Sequence, residues 1–241
     1  MSRYSDLINA QGATHHWPLE ETTGPYNDRI GTVHLNSTGT AVRGELAVVN
    51  AGLNTVSGGY ARTASTTEVA VSPTSPFSYS FILSMNVNAK TGNQGIIGKR
   101  LSGTADRTFM CYLNGATKIL MFDLGSNQTR WTTSYTPTLE FQHIAFTHQP
   151  SVGYKLYVNG QLQETTNAYS PAAASTVGEL TISTLPASVT NTMVGVVDEV
   201  AIFENKLLSP DEVAAQYATA FPITRVFDGT NWHDADKRVI S

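Results

Sequence analysis

The chain has 241 residues, a net charge of −4 at pH 7, only 14% charged residues and a single cysteine, Cys111. Lys and Arg form no stripe, which argues against a nucleic-acid partner held through phosphates, and no apolar run is long enough to span a bilayer, so no membrane insertion is expected. One cysteine excludes an intrachain disulfide, and a chain of this length buries enough surface to fold without one.

In chain order, the first expected element is a weak helix from Tyr4 to Ala10, within an N-terminal segment over 1–13. The opening residues Met1 to Leu7 lack the apolar stretch of a signal peptide, so the expectation is a protein made in the cytosol and not exported by the secretory route. Strands are expected over 32–36 and 68–72. From Phe77 the period becomes two: Phe77, Tyr79, Phe81, Leu83, Met85 and Val87 alternate with Ser78, Ser80, Ser84 and Asn86, with Ile82 the exception. That pattern predicts a strand with one buried and one wetter face. Further strands are expected over 95–101, 119–124, 141–148 and 180–183. Cys111 sits in an apolar run and reads as a small buried residue.

Tyr154 to Val158 alternates, meets Asn159-Gly160 and resumes at Gln161, which predicts a hairpin because both turn residues need positive φ. The run from Met193 to Phe203 is apolar on both faces, with Val194, Val196, Asp198, Val200 and Ile202 on one, and suits a central strand. Ser209-Pro210-Asp211-Glu212 supplies an N-cap, a first-turn proline and a capping-box glutamate for a short helix carrying Val213, Ala214 and Tyr217. Phe221-Pro222 breaks the pattern, and Val226 to Trp232 reads as a hairpin around Asp228-Gly229. The fold class predicted is all-β: a two-sheet antiparallel sandwich over 14–220, a short helix towards its C-terminal side, and a tail hairpin over 221–241. A closed up-and-down barrel fits the same periodicity.

Three segments resemble the laminin G-like jelly rolls of the concanavalin A-like lectin and glucanase superfamily. They are His16-Trp17-Pro18-Leu19-Glu20-Glu21-Thr22-Thr23-Gly24 followed by Asp28, Phe141 to Thr147 followed by Lys155 to Gly160, and Gly195 to Phe203 leading into Leu208 to Glu212. Phe141 stands where that family usually has Trp. The resemblance implies a jelly-roll sandwich with Trp17 in its core. It also implies a structural calcium between opening loop and closing strand, held by Asp28, Glu20 and Asp198; backbone N–H bonds to Asp198 are the competing reading. Two further segments, Tyr4 to Ala10 ahead of Trp17 and Val226-Phe227-Asp228-Gly229-Thr230-Asn231-Trp232, are similar to minor tail proteins of actinobacterial phages. There the partners would be other tail proteins and a host-surface glycan, the location the virion, and a homo-oligomer plausible. A free-standing carbohydrate-binding or adhesion module and a purely structural capsid or tail decoration are the alternatives.

Catalysis is not expected. A retaining glycosidase needs two carboxylates about 5 Å apart, and the Glu-x-Asp-x-x-Glu strand of laminarinase-type enzymes has Val196 in place of its first Glu here. His15, His16 and His143 show no zinc spacing. Sugar recognition calls for aromatic faces flanked by amides and hydroxyls. Asn127, Arg130, Trp131 and Tyr135 have that character, with Tyr60 and Tyr169 in polar surroundings, although Trp131 also suits the core. Trp232 is expected to anchor the tail hairpin.

Overall fold

In the computed structural model, which describes residues 2–55, 58–64, 66–101, 107–127, 129–166, 171–186 and 190–222 and the strand backbones at 226–227 and 232–233, helix α1 (Arg3–Ala10) comes first. The Ser2 hydroxyl caps it by accepting from the Ser5 N–H. Strands β1 (His15–Trp17), β2 (Asn36–Thr38), β3 (Val42–Leu46), β4 (Ala51–Asn54), β5 (Tyr60–Arg62) and β6 (Phe77–Met85) follow. Then come β7 (Gln94–Arg100), β8 (Arg107–Leu113), β9 (Leu120–Gly125), β10 (Thr129–Thr132), β11 (Gln142–Gln149), β12 (Gly153–Val158), β13 (Gln161–Thr165), β14 (Glu179–Ile182) and β15 (Gly195–Glu204). Helix α2 (Pro210–Ala220) and the paired β16 (Val226–Phe227) and β17 (Trp232–His233) are the last described elements.

The first sheet has the order β13-β12-β11-β6-β15-β4-β3, with β1 added on β15; the second has the order β10-β9-β8-β7-β14-β5-β2. Registered pairs are antiparallel, as expected of a jelly-roll sandwich. The core between the sheets is largely aromatic. Phe146 of β11 stacks on Phe122 of β9 at 4.3 Å and on Tyr79 of β6 at 4.9 Å between ring centroids. Each such ring contributes about 1.5–3 kcal/mol by leaving water. At 159–160 both turn residues take positive φ, 50° and 77°, so the β12–β13 hairpin closes as the Asn-Gly pair predicts.

The first sheet departs from the expected pattern on its other face. Ser78 and Ser80, expected on a wetter side of β6, are fully buried, and Ser84 is nearly so. For Ser78 and Ser80 the reason is a second apolar cluster in which Tyr4 and Ile8 of α1 and Val213 and Ala220 of α2 cover Ile82, Ala145, Ala201 and Phe203, while the Ser84 hydroxyl donates to the Leu139 carbonyl. Ile82, the exception in the sequence pattern, belongs to this cluster. The Ser78 hydroxyl accepts from the Leu208 N–H and donates to the Lys206 carbonyl, which ties the approach to α2 onto the sheet. The cap of α2 is a full capping box between Ser209 and Glu212.

Three local expectations change. Residues 68–72 form no strand: Val69 and Val71 plug the core, while the Ala70 N–H is satisfied by the Glu204 carboxylate instead of a neighbouring strand. The strand expected over 32–36 starts only at Asn36, because Leu35 pairs in an isolated bridge with Tyr26. In β15 a bulge between Asp198 and Ala201, with Glu199 at φ 52°, breaks the alternation. Val197 therefore shares the inner core with Val200 and Ile202, and Asp198 does not share their face. Among the described residues no helix is long and apolar enough to cross a membrane.

A buried polar chain fastens both helices. His143 Nε2 meets Gln216 Oε1 at 3.0 Å, Gln216 donates to Gln11 Oε1 at 2.7 Å, and Gln11 donates to the Glu212 carbonyl at 3.0 Å. Burial pushes His143 down to about 4, with the Gln216 bond opposing the shift. The folded state thus binds fewer protons than the unfolded chain between about pH 4 and 6.5, and His143 costs stability as pH falls through that window. A His143→Gln variant, which cannot titrate, is expected to gain on the native chain by up to about 1.4 kcal/mol per pH unit below 6.5 in denaturant melts. A stability difference that stays flat with pH would contradict the buried neutral imidazole.

Candidate functional site

The helices cover the central strands of the first sheet and leave a recess of about 520 Å³ beside β12 and β13, whereas the outer face of the second sheet carries no helix. Its register builds two alternating rows across the strands. The inner row runs Trp131, Phe122, Cys111, Ile97, Ile182 and Ala61, all in the core. One residue along, the outer row runs Arg130, Asp123, Met110, Gly98, Thr181, Arg62 and Asn36 over all seven strands. At ~4.8 Å per strand the row spans ~29 Å.

Asp123 anchors one end. Its carboxylate is fully buried and accepts two bonds from Arg130, from Nε at 2.7 Å and Nη2 at 3.0 Å. Arg107 also donates to it, and the Tyr112 hydroxyl lies 3.3 Å away. The bidentate fork fixes the Arg130 guanidinium, which sits 6.0 Å over the Tyr112 ring. Burial, followed by the Asp123 charge, pushes the Tyr112 hydroxyl up to about 12. Met110, Tyr112, Met121 and Leu185 form a small apolar patch beside this cluster.

The middle of the face is occupied by the segment 184–186. It lies close because β7 has glycine at 95 and 98: a Cβ on Gly95 would stand 2.2 Å from the Leu185 nitrogen, and one on Gly98 2.9 Å from Met110 Cγ and 3.1 Å from Pro186 Cδ. Beyond it, at the other end, a recess of about 520 Å³ is lined by Asn36, Thr38, Arg62, Thr63, Ala64, Leu101 and Glu179. Arg62 pairs with Glu179 at 3.3 Å and lies 5.9 Å over the Tyr60 ring.

Two-thirds of the chain, residues 57–214, match a laminin G-type family model described as the concanavalin A-like lectin/glucanases superfamily. The chain belongs to the concanavalin A-like lectin/glucanases superfamily. Of the segments carrying the resemblance, those at 141–160 and 195–212 lie inside the match and that at 16–28 precedes it. No curated protein matches the sequence significantly. Among solved structures, the binding domain of Paraclostridial Mosquitocidal Protein 1 superposes with a TM-score of 0.69 at 14% identity, over 91% of this chain and 54% of that one. The binding domain of botulinum neurotoxin DC, solved with rat synaptotagmin II, gives 0.67 at 13% identity over 91% and 54%. A Trypanosoma rangeli sialidase gives 0.63 at 17% identity over 86% and 32%. The chain thus spans about half the length of the toxin domains, and these likenesses show the fold.

Within this concanavalin A-like sandwich the candidate sugar-binding residues separate. Arg130 and Tyr60 belong to the outer side of the second sheet, but on β10 and β5, ~24 Å apart. Trp131 points the other way, 7% exposed and stacked on Tyr154, so its ring offers no face to a ligand. Tyr135 packs against the same core. Asn127 braces a loop, accepting from the Thr129 hydroxyl and the Ala172 N–H. Tyr169 lies outside the described residues, as do the side chain of Trp232 and the turn at 228–231. Sequence reasoning missed Arg107, Tyr112, Asp123, Arg62 and Glu179. A signal existed for Asp123, a charge alternating with Leu120, Phe122 and Leu124, but its partners depend on register.

The calcium set implied by the superfamily does not fit. Asp28 Oδ1 accepts the N–H groups of His16, Ile30 and Gly31, and Oδ2 accepts from His15 Nδ1 at 2.6 Å and the Val33 N–H, which leaves little for a cation. Burial alone would lower His15, but the facing carboxylates of Asp28 and Glu204 raise it to about 9. Glu20 pairs with Arg29 at 2.8 Å and accepts from Asn50. Asp198 accepts from the Val49 N–H, as the competing reading expected of a backbone donor. Next to it, Glu199 meets His16 Nε2 at 2.5 Å. Both acids are fully buried; burial, and then the neighbouring Glu199 charge, pushes Asp198 well above the carboxylate range. Among the described residues no three His, Cys, Asp or Glu side chains converge on a common metal position. We expect the thermal midpoint to be the same in millimolar calcium and in chelator, since a ligand stabilises only by binding the native state; a midpoint several degrees higher in calcium would contradict the saturation of Asp28.

Proposed function

We propose that this chain is a virion component of minor tail or fibre type whose sandwich binds host-surface glycans, without catalysis, through the outer face of the second sheet. The recess lined by Asn36, Thr38, Arg62, Thr63 and Glu179 carries the binding part of this reading. Its volume of about 520 Å³ falls in the range of small-ligand sites. An amide, two hydroxyls, a guanidinium and a carboxylate supply the mixed donors and acceptors that sugar hydroxyls need. The toxin domains of like fold are named as binding domains, which fits this role.

The placement of the acids speaks against catalysis. Asp198 and Glu199 are adjacent but fully buried, against Val49 and His16, where no glycosidic bond can reach them. Asp123, on the open side, is buried and bound by two guanidinium groups, so it is unavailable as a nucleophile. The virion setting rests on the tail-like segment from Val226 to Trp232 and the Tyr4 to Ala10 segment.

A glycan array tests the binding role. Selective hits are expected, with Arg62→Gln and Asn36→Ala weakening them about tenfold, or 1.4 kcal/mol. An array without selective hits would favour a structural decoration, and hits indifferent to both substitutions would move the site elsewhere. Mass spectrometry of purified phage particles is expected to find the chain; its absence would remove the virion setting.

A further inference from the structure

We infer that the ligand of this face is an anionic glycan, bearing carboxylate, sulfate or phosphate groups that dock on its arginines. This rests on the proposed glycan-binding role and sharpens its chemistry. The chain as a whole is acidic, at −4. The strands of its second sheet are the reverse. Apart from Lys99, which is buried against the Val69 and Thr176 carbonyls, their charged residues are Arg62, Arg100, Arg107 and Arg130 against only Asp123 and Glu179.

The arrangement of these charges matters more than their number. At each end of the outer row the cation lies outside and its carboxylate inside. The side chain of Arg130 is 45% exposed and Arg107 17%, while the Asp123 they share is at 0%. Arg62 is 48% exposed and its partner Glu179 17%. A ligand approaching the sheet therefore meets Arg130 and Arg62 more exposed than the acids that hold them, with Asp123 wholly out of reach. Asp123 neutralises one of its two arginines and leaves one positive charge in excess. Arg100 adds a further cation, paired in register with Arg107 across β7 and β8. The proximity is felt: burial, and then the Arg107 charge, lowers Arg100. Planar guanidinium forks fixed in this way match the oxygens of carboxylate, sulfate and phosphate.

The test is surface plasmon resonance of the full chain over polygalacturonate, dextran sulfate, phosphorylated mannan and neutral dextran, at about 50 and about 300 mM salt. Binding to at least one charged polymer is expected to exceed that to dextran by about tenfold and to weaken with salt; which polymer responds identifies the anionic group. Arg62→Gln is expected to weaken binding by about tenfold. Because Arg130→Gln alone leaves a buried acid short of a partner, the double variant Arg130→Gln with Asp123→Asn serves at the other end. It keeps the net charge of the face and is also expected to weaken binding. Lys155→Gln, an exposed charge on the first sheet, is expected to change nothing. Equal loss in Lys155→Gln and Arg62→Gln would mean unspecific charge attraction and overturn the inference. Neutral glycans bound as tightly as charged ones would overturn it while leaving glycan binding intact, whereas no glycan bound at all would remove both.

Discussion

Strands covered on both faces cannot recognise anything, and that condition of the central strands of the first sheet, β6, β11 and β15, narrows where recognition can occur. Its inner face packs against the aromatic core, and its outer face carries α1 and α2. The cover is held from several directions. The His143, Gln216 and Gln11 chain crosses from sheet to both helices, Ser78 secures the approach to α2, and His16 meets Glu199 beneath Tyr4. Opening it would expose Tyr4, Ile8, Ile82 and Phe203 to water, about 1.5–3 kcal/mol for each large side chain. The outer face of the other sheet carries no such cover.

There the alternation of a β-strand does two jobs at once. Trp131, Phe122, Cys111, Ile97 and Ile182 fill the sandwich, and their neighbours one residue away line up on the surface. Gly95 and Gly98 let segment 184–186 lie flat on that surface and separate an arginine-rich end from a recessed one. Each end presents arginine outward over a more deeply placed carboxylate. The face therefore combines specific polar geometry with a charge opposite to that of the chain as a whole.

Local chemistry was legible in the sequence. Asn159-Gly160, the Ser209 to Glu212 box and the alternation from Phe77 each carry their own instruction, and the jelly-roll segments pointed to the fold. Strands β3, β4 and β5 were not anticipated, since they are short and carry Gly or Arg, and β4 and β5 gain their order from β15 and β14, distant in sequence. The bulge in β15 was equally hidden, because nothing about Glu199 announces a positive φ. Around Trp131 the signal was present and incompletely used: Thr129, Trp131 and Thr133 are buried while Arg130 and Thr132 are exposed, so a core tryptophan already implied an outward Arg130. That Arg130 and Arg107 meet on Asp123 depends on register, which one sequence does not display. Ser78 and Ser80 misled for a related reason, since the helices that bury them lie far away in the chain, as does Leu139, whose carbonyl accepts from Ser84.

The claim on which the rest turns is that ligand binds across the outer face of the second sheet. A crystal structure of the chain with a charged oligosaccharide that it binds in solution would test it most directly. The account predicts density along the outer row, with anionic groups against Arg62 or against the Arg107 and Arg130 pair, and α1 and α2 unmoved on the first sheet. Density over the first sheet or at the helices, with the outer row bare, would contradict it.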